Sequence, residues 1–382
     1  MRFIYVLVGL LVAAGVVIVA WTQSRAGDLE IRGRLAGLAP VAANSDRFER
    51  AYAPRPLAFP ADHGPHPGFQ TEWWYYTGNL ADETGDRFGF QLTFFRRGLA
   101  PPSESPTRSS EWGTDQIYFA HFTVTDVEGR RFYPHERFSR GAAGVAGAGG
   151  EPLRVWLEDW SATLAADGTI RLQARGEDVR LDLRLSQSKP PVLHGERGLS
   201  PKSEAPGNAS YYYSLSRLPA QGAIVTPRGE FAVSGNAWLD HEWSTSALGP
   251  DAVGWDWFGL QLEDGRELVF AQIRRADGGL EPVSGGLIVE PDGSTRYLSL
   301  DAVDVEVLDT WTSPLSQATY PARWRLRVPA ENLDLTVRPL LANQELPVSF
   351  VYWEGAVAVE GEVTGYGYVE LTGYFRSMQG QF

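Results

Sequence analysis

The chain has 382 residues, of which 43% are hydrophobic and 12% aromatic, with 13 Trp. That is ample apolar side chain for a packed core, and it excludes global disorder. The formal net charge of -13 comes with no basic patch, which argues against nucleic acid as a partner. The absence of cysteine excludes disulfides, thiol catalysis, Cys-ligated zinc and a cysteine-linked lipid anchor.

The N-terminus, MRFIYVLVGLLVAAGVVIVAW, places one Arg before an uncharged apolar run from Phe3 to Trp21. That run suits a membrane span and is long for the apolar region of a signal peptide. Ser24-Arg25-Ala26 fits a small-residue cleavage site. Residues 1–26 are therefore read as a hydrophobic helix, either signal peptide or membrane anchor. Both place the rest of the chain outside the cytoplasm, in the periplasm or an equivalent space. An uncleaved 3–21 would anchor it to the inner membrane. Residues 27–65, rich in Ala, Pro, Gly and charge, read as a linker.

From residue 66 onward the dominant signal has period two. Phe88, Phe90, Leu92 and Phe94 alternate with other residues, as do Val179, Leu181, Leu183 and Leu185. Val303, Val305 and Val307, and Trp324, Leu326 and Val328, do the same. Such alternation predicts half-buried strands. Asp167-Gly168, Asp264-Gly265 and Asp292-Gly293 supply turns. GAAGVAGAGG (141–150) and residues 98–115 read as loops.

The pattern repeats in order. WWYYTGNLADETGDRFGFQLTFFRR (73–97) matches WDWFGLQLEDGRELVFAQIRR (255–275). IRLQARGEDVRLDLRL (170–185) matches WRLRVPAENLDLTVRP (324–339), and VSGNAWLDHEW (233–243) matches VTGYGYVELTG (363–373). A duplicated antiparallel β unit follows, each copy a closed or nearly closed barrel that manages its edges by curling. The first copy is set at residues 66–247 and the second at 248–382.

No G-x-S-x-G elbow, P-loop or dinucleotide fingerprint is present. His241-Glu242 opens like a zinc H-E-x-x-H motif, but Thr245 stands where the second His belongs. Neither a metal nor a cofactor is expected. What remains is a set of ionisable residues among aromatics. HPGFQTEWWYYTGNL (66–80) sets Glu72 against Trp73, Trp74 and Tyr76. YFAHFTVTD (118–126) places His121 in an apolar strand, and GNASYYYSLSRL (207–218) contributes Tyr212 and Tyr213. WLDHEWSTSALG (238–249) holds Trp238, Asp240, His241 and Trp243, and GWDWFG (254–259) holds Asp256 between Trp255 and Trp257. A carboxyl group walled by indole and phenol is poorly solvated, so it retains its proton and serves as a general acid. The surrounding ring faces stabilise a cation. Strand alternation puts Trp238, Asp240 and Glu242 on one face and Leu239, His241 and Trp243 on the other. Asp240 and His241 therefore meet only if a bulge or turn intervenes. Glu72, Trp74 and Tyr76 are expected to face the second domain.

These motifs resemble the carotenoid 1,2-hydratase family, in its secreted AttH-like branch, over roughly residues 60–380. The specific matches are E-W-W-Y-x-T-G and W-x-D-H-E-W. The resemblance implies two lipocalin-like β domains in tandem. It also implies cofactor-free addition of water to a terminal isoprenoid double bond, or, in the AttH-like branch, association with ABC-type export components. By the same resemblance Asp240 and His241 form the acid–base pair, flanked by Trp238 and Trp243, with Asp256 as a further acid and Glu72, Trp73 and Trp74 as the first signature. The N-terminal apolar segment is a departure, since a hydratase working from the cytoplasmic side does not need it. Three readings stay open, the third being a structural envelope protein whose domain interface is packed solid. One is an exported, envelope-associated protein that carries a lipid or isoprenoid-like ligand between its domains for an export system. Another is a hydratase or hydrolase using Asp240 and His241, with Asp256 or Glu72 as the reserve acid.

Overall fold

The computed structural model describes residues 45–104, 110–150, 152–246 and 248–379. The expected N-terminal helix lies outside the described residues. Among the described residues no helix is long and apolar enough to cross a membrane, and the helical turns are short 3-10 segments.

The first sheet contains Thr71–Ala81 (β1), Arg87–Gly98 (β2), Gln116–Asp126 (β3), Arg131–Arg140 (β4), Ala146–Gly149 (β5), Leu153–Leu157 (β6), Trp160–Leu164 (β7), Ile170–Arg175 (β8), Arg180–Leu185 (β9), Val192–Leu193 (β10), Leu199–Pro201 (β11), Ala209–Thr226 (β12) and Gly229–Ser244 (β13). The second contains Ala252–Leu262 (β14), Glu267–Arg275 (β15), Gly285–Val289 (β16), Thr295–Ser299 (β17), Asp304–Thr312 (β18), Thr319–Val328 (β19), Leu333–Pro339 (β20), Glu345–Leu346 (β21), Tyr352–Gly361 (β22) and Gly365–Leu371 (β23). The protein is thus all-β, with two barrel-like antiparallel sheets in tandem.

Both sheets follow the same path. The first runs β4-β3-β2-β1-β13-β12-β9-β8-β7-β6-β5, the second β17-β16-β15-β14-β23-β22-β20-β19-β18. In each, the last strand of the unit returns beside the first, as a sheet curling on itself requires. The matched segments of the sequence occupy matching places: β1–β2 and β14–β15, β8–β9 and β19–β20, β13 and β23.

Alternation explains how each sheet closes over its own core. In β9, Leu181, Leu183 and Leu185 are buried while Arg180 and Arg184 are exposed. One apolar cluster fills the first barrel, another the second, and a third lies where the barrels meet, around Tyr75, Trp238, Trp257 and Tyr368. A buried carboxylate ties the two barrels together. Glu267 of β15 accepts from Lys189 Nζ at 2.7 Å and Arg217 Nε at 2.5 Å, both from the first barrel.

Three segments differ from expectation. Ala146–Gly149, read as loop, pairs with β6 as an edge strand, because its small residues fit under the Trp156 ring. The Val303 series is not half-buried: Val303 is buried, but Val307 is 48% exposed, since β18 is an edge with no sheet stacked on it. The part of 27–65 that is described packs onto the first barrel, burying Phe48, Ala51, Asp62 and His63.

Candidate functional site

Strand β13 divides the site. Its regular alternation turns Trp238, Asp240 and Glu242 toward the second barrel, and Leu239, His241 and Trp243 into the first. The register shift in its pairing with β12 falls between Leu215 and Leu218, opposite Trp238, and the pairing is regular again from Leu239 through Asp240 and His241. Asp240 and His241 therefore do not converge, which corrects the expected acid–base pair.

The outward set opens onto a cleft between the barrels. Trp73, Tyr75, Phe95 and Tyr212 line it from the first barrel, and Trp255, Trp257, Phe350 and Tyr352 from the second. Its cavity volume is about 110 Å3, several times the space one water occupies. The cleft thus admits a molecule of several heavy atoms. Asp240, Glu242 and Glu370 reach it as carboxyls, and Lys202 as the cation, with Lys202 Nζ 2.6 Å from Glu242 Oε1.

Three donors hold Asp240. Ser214 Oγ–H and Trp238 Nε1–H donate to Oδ1, at 2.5 and 2.6 Å, and Tyr212 Oη–H donates to Oδ2 at 2.5 Å. Behind Ser214 lies His194 Nε2 at 2.7 Å, its ring stacked on Tyr212 at 3.6 Å. Burial is the largest influence on Asp240. It pushes the carboxyl up to about 7, Glu242 adding to the rise and the donors opposing it. Glu370 takes Trp255 Nε1–H at 2.9 Å, and burial with the nearby Asp240 and Glu242 pushes it up to about 7 as well. Glu354, the cross-strand neighbour of Glu370, accepts the Tyr75 hydroxyl at 2.5 Å. Burial and Glu370 raise its carboxyl well above the usual range.

The inward set builds a polar plug inside the first barrel. Glu72 accepts from Arg96 Nε at 2.8 Å and contacts His66 Nδ1 at 2.7 Å and His241 Nε2 at 2.9 Å. Burial alone would raise this carboxyl, but Arg96, His241 and His66 hold it well below the usual range. His241 also meets Tyr213 Oη at 3.1 Å, and burial pushes its imidazole down to about 4. Trp243 stacks on His66 at 3.7 Å, and Trp74 stacks on His241 at 4.9 Å. Glu72, Trp74 and Tyr76 therefore face the first barrel's interior, and Trp73 with Tyr75 faces the cleft, the reverse of the expected arrangement. The register explains it: Tyr75 lies opposite Asp240, and Trp74 opposite His241. Donor atoms of His66, Glu72 and His241 lie within 4.8 Å of one another. The Arg96 guanidinium already supplies the positive charge there, so a divalent cation fits this cluster poorly.

Asp256 is turned away from the cleft as well. It pairs with Arg274 Nε at 2.9 Å and accepts the Tyr374 hydroxyl at 3.0 Å. In the repeat it occupies the place of Trp74, which points inward too. His121 sits at the barrel junction, with Nδ1 2.7 Å from Tyr352 Oη and Nε2 3.2 Å from Glu136. Of the aromatic residues expected to grip a ligand, Trp73, Tyr212, Trp255 and Trp257 line the cleft; Trp238 packs beneath it, 5.9 Å from Trp257. Tyr76, Tyr213, Trp74 and Trp243 belong to the first core. Sequence reasoning missed Lys202, His194 and Phe350, which sit outside the strands and carry no periodic signal. It also missed Glu370, although the aligned repeat sets Glu370 on Asp240.

Two barrel-like antiparallel sheets meeting at an aromatic, carboxyl-lined cleft define a tandem lipocalin-like β class. The AttH-like family model matches residues 50–374, and the chain belongs to that family. A crystal structure of an AttH from Nitrosomonas europaea is 35% identical, covers 86% of this chain and 100% of its own, and superposes with a TM-score of 0.78. Kievitone hydratase from Nectria haematococca is 13% identical over 86% of this chain and 99% of its own, with a TM-score of 0.62, and shows the shared fold alone. No curated protein matches the chain.

Proposed function

We propose that this protein is a cofactor-independent hydratase-type enzyme, acting on an unsaturated apolar molecule held between its barrels, with Asp240 as the proton donor. The observation that carries the reading is a buried carboxyl, held by neutral donors and pushed up to about 7 by its burial, at the wall of an aromatic cleft. The Asp240 O–H bond breaks as a C–H bond forms at one alkene carbon. The other carbon becomes a cation facing indole and phenol rings. Water bonds to that carbon and gives up a proton, so the alkene gains one water in all. Ser214 and Trp238 saturate Oδ1, which favours Oδ2 as the oxygen that carries the transferable proton. The fold is also that of a kievitone hydratase, which agrees with the reading without carrying it.

A carrier without turnover is the second reading. It is favoured by the Lys202–Glu242 pair, which offers a polar head group both signs of charge beside an apolar lining. The proposal extends to place: an extracytoplasmic site of action beside an ABC-type exporter of apolar cargo, supported by the apolar run Phe3–Trp21. The test is incubation of the full chain with short isoprenoids bearing terminal double bonds, of about ten carbons or fewer to suit the cleft, in oxygen-18 water. Products gaining one labelled water, lost in Asp240→Asn, support the enzyme. Isoprenoid bound but unchanged by both proteins establishes the carrier instead.

A further inference from the structure

The two halves of the cleft are built from the same positions of the repeat. Trp73 and Tyr75 of β1 correspond to Trp255 and Trp257 of β14, and all four line the cleft. Asp240 of β13 corresponds to Glu370 of β23. The register confirms the correspondence: Tyr75 lies opposite Asp240 in one sheet, and Trp257 opposite Glu370 in the other. Each carboxyl is held by an indole N–H, from Trp238 to Asp240 and from Trp255 to Glu370. Duplication has thus set two equivalent carboxyls on the two walls of one cavity.

We propose that Glu370 is the second catalytic carboxyl, and that Asp240 and Glu370 share one proton across the cleft, one serving as acid while the other serves as base. The inference rests on the hydratase reading and supplies the group that reading leaves open, the acceptor of the water proton. In the step, Asp240 gives its proton to the alkene and becomes a carboxylate. The water oxygen bonds to the carbocation, and its proton passes to the Glu370 carboxylate. Both carboxyls return to their starting states by proton exchange with water once the product leaves. Two carboxyls in one poorly hydrated cavity do not both ionise readily, because each charge raises the cost of the other. Asp240 is among the groups that hold Glu370 up, and Glu242 is the like charge that acts on Asp240.

Other ionisable groups face the pair. Glu242, Lys202 and Tyr212 lie around Asp240, and Tyr75, Tyr352 and Glu354 around Glu370. Glu354 does not line the cleft, and its hydrogen bond to Tyr75 identifies it as support rather than a reacting group.

The test needs no substrate. Infrared difference spectra of the full chain against Asp240→Asn isolate the protonated-carboxyl band of Asp240 as pH is raised. In Glu370→Gln, the same band should titrate about one pH unit lower, because a like charge has been removed. Glu370→Asp, which keeps the charge, should restore the midpoint. The reciprocal titration of Glu370 should move down in Asp240→Asn. If the Asp240 band is present at neutral pH but its midpoint ignores residue 370, the pair is overturned and the single-acid reading stands. If no Asp240 band is present at neutral pH, the acid reading falls and the pair falls with it. Melting curves of each variant show whether an unmoved midpoint comes from a folded protein.

Discussion

Asp240 and His241 are adjacent in the chain and face different compartments, and their ionisation diverges accordingly. His241 has an anionic partner in Glu72 yet is pushed down to about 4 by burial, while Asp240 has neutral donors and is pushed up to about 7. The Asp240 shift has a sign that stability measurements can read. A carboxyl whose folded value lies above its unfolded value of 3.8 favours the fold below that pH, and the benefit is lost as pH rises through 7. At pH 8 the wild-type chain therefore holds a buried charge at a cost. Asp240→Asn removes the cost and still offers an oxygen to Ser214 and Trp238 and an N–H to Tyr212. We expect its melting temperature to exceed that of the wild type by a few degrees at pH 8 and to match it near pH 4. A lower melting temperature at pH 8 would sink the assignment of Asp240 as a strained, protonated acid. Arg96 is the opposite case. Arg96→Met leaves Glu72 buried without its cation and should destabilise the first barrel by about 3–5 kcal/mol in urea melts.

At the scale of elements, the strands that carry the site have two functional faces. The inner face of β13 joins the plug of Asp62, His63, His66, Glu72 and His241. Burial pushes His63 and His241 down to about 4, so their contribution is present at pH 7 and is lost as pH falls from about 6.5 toward 4. Asp62 and Glu72, held below their ordinary values, lose theirs as pH falls below about 4. His66, raised by Asp62 and Glu72 against its burial, works the other way and favours the fold at lower pH. Between pH 7 and about 4 the two imidazoles are opposed by His66 and by Asp240, whereas below about pH 4 the two carboxylates dominate, so calorimetry should show the first barrel melting earlier at about pH 2.5 than at about pH 4.5. An unchanged melt would show the plug to be electrostatically neutral in effect. On β14 the outer face depends on a glycine. A Cβ at Gly259 would lie 2.3 Å from Trp257 Cη2, so the indole rests where a side chain would stand. Gly259→Ala must displace Trp257 into the cleft or against Tyr75 and Trp238. At the roughly 1–3 kcal/mol typical of overpacking, binding of anilinonaphthalene sulfonate in the cleft should weaken about tenfold. Unaltered probe affinity would mean that Trp257 does not shape the cavity.

The molecule as a whole is a cavity made by docking two barrels. Neither wall of the cleft is complete in one barrel, and the angle between the barrels sets its width. Glu267, fully buried, takes Lys189 and Arg217 from the other barrel, with Ser216 Oγ at 3.1 Å. Gln261 Nε2 donates to the carbonyls of Ser216 and Ala237, and Asn79 Nδ2 to that of Gly367. Removing the Glu267 carboxylate leaves the buried Lys189 and the half-buried Arg217 without their counter-charge, which costs about 3 kcal/mol. Glu267→Ala should lower the main calorimetric transition and split it into two, one for each barrel. A single transition at the wild-type temperature would show that docking does not depend on this clamp.

The class of fold, the duplication and the two faces of each strand are legible in the chain alone. These follow from local rules: side chains alternate across a pleated backbone, and a repeated pattern of alternation builds a repeated sheet. Trp238, Asp240 and Glu242 were therefore legible as one face, and the repeat already paired Asp240 with Glu370. Which face meets the other barrel was not legible, because both faces of β1 and β13 are aromatic and carry carboxyls, and hydrophobicity cannot rank them. It took the folded molecule to show that Glu72 and His241 face a barrel interior, where Arg96 neutralises the carboxylate, while Asp240 faces a cavity whose cation, Lys202, is paired with Glu242. The partners that decide this, Arg96, Ser214, His194 and Lys202, lie 24 or more residues from Glu72 or Asp240 in the chain. Docking of the barrels, a long-range event that no local pattern encodes, turned equivalent halves into a single site.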